Sequence, residues 1–200
     1  MQSIDPRPFL AYNRIMKKFT AKNGRRILQI VLPLACIGVL AFIFSNSLRS
    51  GEASSQQSGR LVALVQKIAG MFAPNSHLAT ATGAAREKIH AFLRVFAHFS
   101  EFALLGALFI WCYFSYTMKK RWLYLPVCAF LLVPVTDEYL QTLTVARAGE
   151  AADILVDMLG GACGMLFAAV TVAIGVAVYR YKKMKKSKNK ITPKKGEKEQ

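Results

Sequence analysis

The stretch WLYLPVCAFLLVPVTDEYLQ, residues 122–141, places fifteen uncharged residues directly before the acidic pair Asp137 and Glu138. An uncharged run of this length is typical of a membrane-spanning helix, which needs roughly 20 mostly apolar residues. The two carboxylates then lie at the edge of the lipid bilayer or just inside it. Because ionisable groups are costly at that depth, the pair marks a candidate functional site.

Composition places the whole chain among membrane proteins. Of its 200 residues, 54% are hydrophobic, and the mean hydropathy is positive, +0.29. We therefore predict an all-α fold, a polytopic membrane protein built as a four-helix transmembrane bundle. The predicted spans are about 27–46, 98–118, 122–141 and 154–179. The middle two reach the required length only by including polar residues at one end.

The distribution of charge predicts how the chain crosses the membrane. The net charge is +16, with seven Lys and Arg residues before the first span, three at 119–121 and ten from Arg180 onward. Only seven remain for the two other loops, although these loops and the adjoining span ends hold eight of the eleven acids. By the positive-inside rule, both termini and the 119–121 link are cytoplasmic. The charge indicates topology, and we expect no nucleic-acid partner.

The chain divides into three predicted parts. A basic cytoplasmic arm, 1–26, includes a short amphipathic helix around Phe9–Phe19. A four-span membrane domain covers 27–179. A basic tail, 180–200, is predicted to be disordered and to lie near anionic lipid headgroups.

The outer loop, 47–97, combines a polar segment with helical patterns. It begins with SGEASSQQSG, residues 50–59, which predicts a flexible loop. Apolar residues at helical spacing then predict amphipathic helices over 61–72 and 86–96, the second of which continues into the second span. Both helices are suited to lie on the outer membrane surface or to pack against the bundle.

Polar residues of all four spans are predicted to meet in one layer at the outer face. At about 1.5 Å per helical residue, Asp137 lies roughly 22 Å from Trp122, and Glu101 roughly 26 Å from Met118. Both acids therefore lie near the outer boundary of a hydrocarbon core about 30 Å thick. The predicted outer-face site consists of His98, Glu101, Asp137, Glu138, Gln141, Arg147, Asp153 and Asp157, supported by Ser45, Asn46, Arg94, Gly160, Gly161 and Gly164.

The last span carries its acids and its small residues on the same face. Asp153, Asp157, Gly161, Gly164 and Ala168 follow one another at steps of four or three residues. Small residues on a helix face allow another helix to approach closely. The face that carries the acids is therefore predicted to pack inward.

Two roles of this layer are open. The polar groups can pair with one another and stabilise the bundle, or they can form a pocket that binds a lipid headgroup, a peptide terminus or a cation. A histidine with several carboxylates also has the chemistry for a metal site or for acid/base catalysis. The ligands of such a metal would be His98, Glu101, Asp137 and Asp157. Because no compact motif such as HExxH is present, we predict no metal and no cofactor.

The same residues, in this order, resemble the VanZ-like family of small bacterial membrane proteins. The likeness covers roughly 30–178 and leaves both basic ends outside it. The chain departs from the family pattern at Asp157, where Asn is frequent, and in its longer first outer loop. The matching pieces are Phe44-Ser45-Asn46-Ser47, His98-Phe99-Ser100-Glu101-Phe102, Leu105-Gly106, Asp137-Glu138-Tyr139-Leu140-Gln141, Arg147, and Asp153, Asp157, Gly160 and Gly164.

This resemblance implies a multi-pass protein of the bacterial cytoplasmic membrane that acts at its outer face. The family is named for a protein linked to resistance to teicoplanin, a lipid-bearing glycopeptide directed at cell-wall precursors. The implied partners are membrane lipids, with lipoglycopeptide or a cell-wall precursor as candidate ligands. We therefore expect a non-enzymatic protein that lowers sensitivity to teicoplanin-like amphiphiles.

Two other functions stay open at this point. One is an intramembrane hydrolase or transferase acting on lipid headgroups, in which Asp137 or Glu138 is the base and Arg147 or a metal stabilises negative charge. The other is a structural or chaperone-like membrane subunit. The sequence predicts no oligomeric state.

Overall fold

The computed structural model describes residues 7–117, 122–144 and 151–191. Within these ranges the chain forms helices and no strand, which confirms the predicted all-α class. The helices are α1 (Arg7–Ser47), α2 (Gly51–Phe72), α3 (His77–Thr80), α4 (Gly83–Tyr116), α5 (Tyr124–Thr142) and α6 (Ala151–Ile191).

Three of the described helices are long and apolar enough to cross a membrane. They contain the segments Gly24–Ser47, Gly83–Tyr116 and Ala151–Lys182. Helix α5 is not among them, because polar residues at its end, including Asp137 and Glu138, lower its mean hydropathy. The fourth span, and with it the four-helix transmembrane bundle, stays a prediction.

Both flanks of the membrane segments continue as helix. Helix α1 is continuous from Arg7, where the sequence predicted a separate short helix at Phe9–Phe19. Helix α6 extends to Ile191, although the sequence predicted disorder from residue 180. The lysine-rich segment 180–191 contains no Pro or Gly, and lysine is a good helix former, so nothing in it ends the helix.

The polar start of the outer loop is helical and not a flexible loop as predicted. Ser50 caps the N-terminus of α2, and its side chain accepts a hydrogen bond of 3.3 Å from the backbone nitrogen of Ala53. Glu52 in the first turn interacts favourably with the helix dipole. Helix α2 also covers 61–72, and α4 runs without a break through 86–96. A position of these helices on the membrane surface stays a prediction.

Helices α4 and α6 approach closely through glycines. A Cβ atom at Gly106 would collide with the backbone of Gly161, and one at Gly164 would collide with the backbone of Ala103. Gly160 lies in the same way against the backbone of Phe99. Larger side chains at these positions would force the two backbones apart.

Helices α1 and α5 pack against this pair through aromatic and aliphatic side chains. The Phe130 ring lies against Gly161 and meets the rings of Phe102 and Phe109 edge-on, with centroid distances of 6.2 Å in both cases. Ile43 of α1 joins the same core, and 1% of its surface is exposed. The core therefore includes residues from four helices.

One end of the packed helices is held by hydrogen bonds to α4. Arg25 Nε and Gln29 Nε2 both donate to the carbonyl oxygen of Ser115, at 3.0 and 2.9 Å. This carbonyl belongs to the last turn of α4, where no backbone donor of the same helix follows. The contact sets the position of α1 along α4, and it therefore brings Ser47 to the other end of the assembly.

We expect Gly164→Ala to destabilise the protein by about 1–3 kcal/mol, because the added methyl group overpacks the α4–α6 contact. Gly175→Ala is the matched control on the same helix, since a Cβ atom there has no neighbour within 4 Å. That control is expected to be neutral or slightly stabilising, because alanine is the better helix former. Thermal unfolding of the purified proteins in one detergent measures both effects, and equal unfolding temperatures would contradict the close approach.

Cysteine labelling tests whether α5 crosses the membrane. Single cysteines at positions 55, 120, 143 and 190 are introduced after replacing Cys36, Cys112, Cys128 and Cys163 by alanine. We expect an impermeant maleimide to label positions 55 and 143 in intact cells, because the positive-inside rule places them outside. Positions 120 and 190 should react only after permeabilisation. Labelling of 120 and 143 from the same side would show that α5 does not span.

Candidate functional site

Polar side chains from four helices meet at the end opposite Arg25. Four of them are almost fully buried, with exposed fractions of 2% or less. Since they lie among apolar spans, each needs a polar partner within the protein. This polar cluster consists of Ser47 from α1, His98 and Glu101 from α4, Asp137 and Gln141 from α5, and Asp157 from α6.

Asp137 is held in place by hydrogen bonds to both of its carboxylate oxygens. Ser47 Oγ donates to Oδ1, and Gln141 Nε2 donates to Oδ2 at 2.9 Å. Gln141 follows Asp137 by one turn of α5, so the second contact is local, whereas the first joins α5 to α1. The carboxylate therefore has a fixed orientation in the cluster.

Asp157 and His98 form a second pair, which joins α6 to α4. Asp157 Oδ1 lies 3.5 Å from His98 Nδ1. Within the described part of the chain, neither Asp157 oxygen has a hydrogen-bond partner. Three residues, His98, Asp137 and Asp157, each offer one possible ligand atom, and these three atoms lie within 4.8 Å of one another. The three residues therefore have the geometry to hold a metal ion.

A cavity of about 360 Å³ opens beside the polar cluster and is bounded by α1, α2, α4 and α5. Helix α2 closes it from one side and is tied to α3 and the segment after it by Gln66 Nε2, which donates to the carbonyl oxygen of Ala81 at 2.8 Å. The lining residues are Ile43, Asn46, Ser47, Arg49, Ser54, Gln57, Ser58, Arg60, Leu61, Leu64, Leu93, Arg94, Ala97, His98, Glu101 and Asp137.

The charges in this cavity are separated by depth. Asp137 is fully buried, and Glu101 is partly buried. The three arginines of the wall, Arg49, Arg60 and Arg94, are exposed. The cavity thus has an acidic floor, a basic rim and a partly apolar wall.

The structure brings together five of the residues that the sequence singled out, namely His98, Glu101, Asp137, Gln141 and Asp157. Asn46 and Arg94 join them in the cavity wall or rim. Gly160 and Gly164 allow α4 to approach α6 closely, and Gly161 leaves room for the Phe130 ring of α5.

Three other predicted residues lie outside both the polar cluster and the cavity wall. Ser45 is exposed, and its hydroxyl donates to the carbonyl oxygen of Phe42. Asp153 pairs with Arg94 Nη2 at 3.3 Å and stays outside the cavity wall. Glu138 is buried but does not line the cavity. Arg147 lies outside the described residues.

The sequence analysis missed Ser47 and the rim residues Arg49, Gln57 and Arg60. Ser47 follows the core residue Ile43 by one helical turn, and this spacing already places both side chains on the inward face of α1. No local signal identifies the rim residues, because their role depends on the way α2 folds back over α4.

Comparison with known proteins identifies the family. The VanZ/LLP1 family profile matches residues 31–173, a range that contains the whole polar cluster. No curated protein and no solved structure matches the chain significantly. Because the family match covers most of the sequence, the chain belongs to the VanZ/LLP1 family.

Proposed function

We propose that this membrane protein binds the anionic headgroup of an envelope lipid, a cell-wall precursor or a lipoglycopeptide in the cavity beside α2. By binding such molecules at the outer face, it lowers the sensitivity of the cell to teicoplanin-like amphiphiles. The observation that carries the proposal is the basic rim of an otherwise partly apolar cavity beside α1 and α4, two helices long and apolar enough to cross a membrane.

The rim arginines are suited to bind a phosphate or carboxylate group. Arg49 Nη1 donates to Gln57 Oε1 at 2.6 Å, which orients the guanidinium beside the cavity. Arg60 has no ion pair within the described residues, and Arg94 uses Nη2 for Asp153. A guanidinium group presents five donors, so each of the three keeps donors for a ligand. Two of these donors can bind two oxygens of one phosphate or carboxylate group at the same time, and such bidentate contacts are favoured.

The apolar wall is suited to contact the first part of a lipid chain. Leu61 and Leu64 of α2 line the cavity together with Ile43 and Leu93. Leu61 and Leu64 are also 39% and 52% exposed, so they are accessible to a ligand. A molecule with an anionic head and an apolar tail matches both kinds of surface.

The size of the cavity limits what enters it. Ligand pockets for small molecules span about 300–1,000 Å³, and this cavity of about 360 Å³ is at the lower end. It accommodates a headgroup or one terminal group of a larger molecule. A lipid chain or the body of a glycopeptide then lies outside, against the exposed apolar side chains of α2 or in the bilayer.

An enzyme that acts on the same headgroups is the second candidate function. The floor of the cavity contains His98, Glu101 and Asp137, which are residue types used in acid/base catalysis. Since both oxygens of Asp137 are engaged by Ser47 and Gln141, Glu101 is the better candidate for the base. Purified protein in nanodiscs with phosphatidylglycerol should then release the headgroup, and Glu101→Gln should abolish the release. Absence of turnover would favour binding alone.

We expect the double variant R49Q/R60Q to bind an anionic headgroup at least about 10-fold more weakly, because it loses two charge-assisted contacts. Dihexanoyl phosphatidic acid is the probe, and titration calorimetry of the detergent-solubilised protein gives its dissociation constant. Dihexanoyl phosphatidylcholine, which has no net charge, should bind weakly to both proteins.

The matched control is K67Q/R86Q. Like R49Q/R60Q, it removes two positive charges. These charges lie on α2 and α4, at positions that do not line the cavity. Its affinity for the probe should equal that of the unmodified protein. Equal weakening in both double variants would point to general surface charge and contradict the cavity as the binding site.

The same two double variants test whether the cavity is responsible for the tolerance of cells to teicoplanin. In a strain that lacks the gene, the unmodified protein and K67Q/R86Q should restore tolerance to teicoplanin, and R49Q/R60Q should not. The inhibitory concentration at equal protein levels in the membrane measures this. Full tolerance with R49Q/R60Q would separate the cavity from the resistance function.

A further inference from the structure

Asp157 is a buried carboxylate without a hydrogen bond from the described part of the chain. Its exposed fraction is 1%, and neither oxygen accepts a hydrogen bond there. His98 Nδ1, at 3.5 Å from Asp157 Oδ1, also has no hydrogen-bond partner in these ranges. The His98 contact at 3.5 Å is longer than a normal hydrogen bond, so it satisfies the buried carboxylate poorly, and the geometry leaves a place for a further group beside these atoms.

Asp137 reaches the same place from a third helix. One ligand atom each from His98, Asp137 and Asp157 lie within 4.8 Å of one another. An ion at the centre of such a triangle lies about 2.8 Å or less from each atom, and shifts of about 0.7 Å bring these distances to the range of zinc ligands. Rotamer adjustments of three side chains suffice for shifts of that size.

We propose that His98, Asp137 and Asp157 bind a divalent transition-metal ion, with Zn²⁺ as the ion that fits best. One imidazole nitrogen and two carboxylate oxygens are ligands that zinc accepts at about 2.0–2.2 Å. Mg²⁺ and Ca²⁺ take oxygen ligands, so the imidazole disfavours them. The proposal goes beyond headgroup binding and does not depend on it.

The residues around the three ligands match what a metal site needs. Ser47 and Gln141 donate to the oxygens of Asp137 and fix its orientation. Hydrogen bonds of this kind to metal-binding carboxylates support the affinity of known sites. The two carboxylates also balance the charge of a divalent ion, which suits a place among apolar helices.

An ion held by three protein ligands would keep a fourth coordination position for another ligand. Three protein ligands are typical of zinc sites whose fourth ligand is water or a substrate. His98 and Asp137 belong to the cavity wall, whereas Asp157 does not line the cavity. Glu101 lines the cavity one turn after His98 and would add a further hydrogen-bond acceptor beside such an ion.

Metal content of the full-length protein tests the proposal. The protein is purified in detergent without chelator, dialysed against buffer with Zn²⁺ and then against metal-free buffer, and analysed by mass spectrometry of the elements. We expect about one zinc ion per chain. Competition with a fluorescent zinc chelator then gives the affinity of each variant.

Asp157→Asn removes a ligand and should lower zinc affinity at least about 10-fold. Asp153→Asn is the matched control, because it lies one turn earlier on the same helix and pairs with Arg94 instead of the three ligands. It should keep the zinc ion. Ser47→Ala should weaken binding by about 10- to 100-fold through the orientation of Asp137, with the ion still bound at high zinc concentration.

Two outcomes would overturn the proposal. The first is unmodified protein that holds no more zinc than Asp157→Asn. The second is equal zinc affinity in Asp157→Asn and Asp153→Asn. If Asp157→Asn does not fold, the unmodified protein decides alone: Zn²⁺ should raise its unfolding temperature and a chelator should reverse the rise. An unfolding temperature that Zn²⁺ leaves unchanged would contradict the site.

Discussion

The close contact between α4 and α6 determines the rest of the structure. Gly160 lies against the backbone of Phe99. Asp157, one turn before Gly160, and His98, directly before Phe99, therefore lie close together. Glycine is needed there because the two backbones leave no room for a side chain. The packing that stabilises the protein therefore also forms one half of the polar cluster.

The other half depends on how α5 and α1 join this pair. The Phe130 ring fills the space beside Gly161, and Asp137 follows it two turns later on α5. Ser47 then ties Asp137 to α1. The apolar core and the polar cluster lie next to each other, so a variant that displaces Phe130 should also displace Asp137. Variants of the cluster must for this reason be compared with controls of equal stability.

Helix α2 closes the cavity beside the polar cluster and gives it both polar and apolar walls. Its N-terminal part supplies Gln57 and Arg60, and its next turns supply two leucines, so one helix contributes both polar and apolar wall. The buried acids belong to α5 and α6, whereas two of the three rim arginines precede or belong to α2. The proposed headgroup contacts and the proposed metal ligands therefore involve different side chains, and substitutions can separate them.

The sequence by itself determined the class of protein, most helices and the level of the polar layer. Hydropathy and the rise per residue are local properties, and they place Asp137, His98 and Asp157 near the ends of the predicted spans without knowledge of neighbours. Tertiary structure decided which side chains meet. Ser47 contacts Asp137 in place of Ser45, Asp157 lies beside His98 without accepting a hydrogen bond from the described residues, and a segment predicted as a loop closes the cavity as a helix. These outcomes depend on the rotation of each helix and on its partner. Both are set by packing between segments far apart in sequence, which local patterns do not encode.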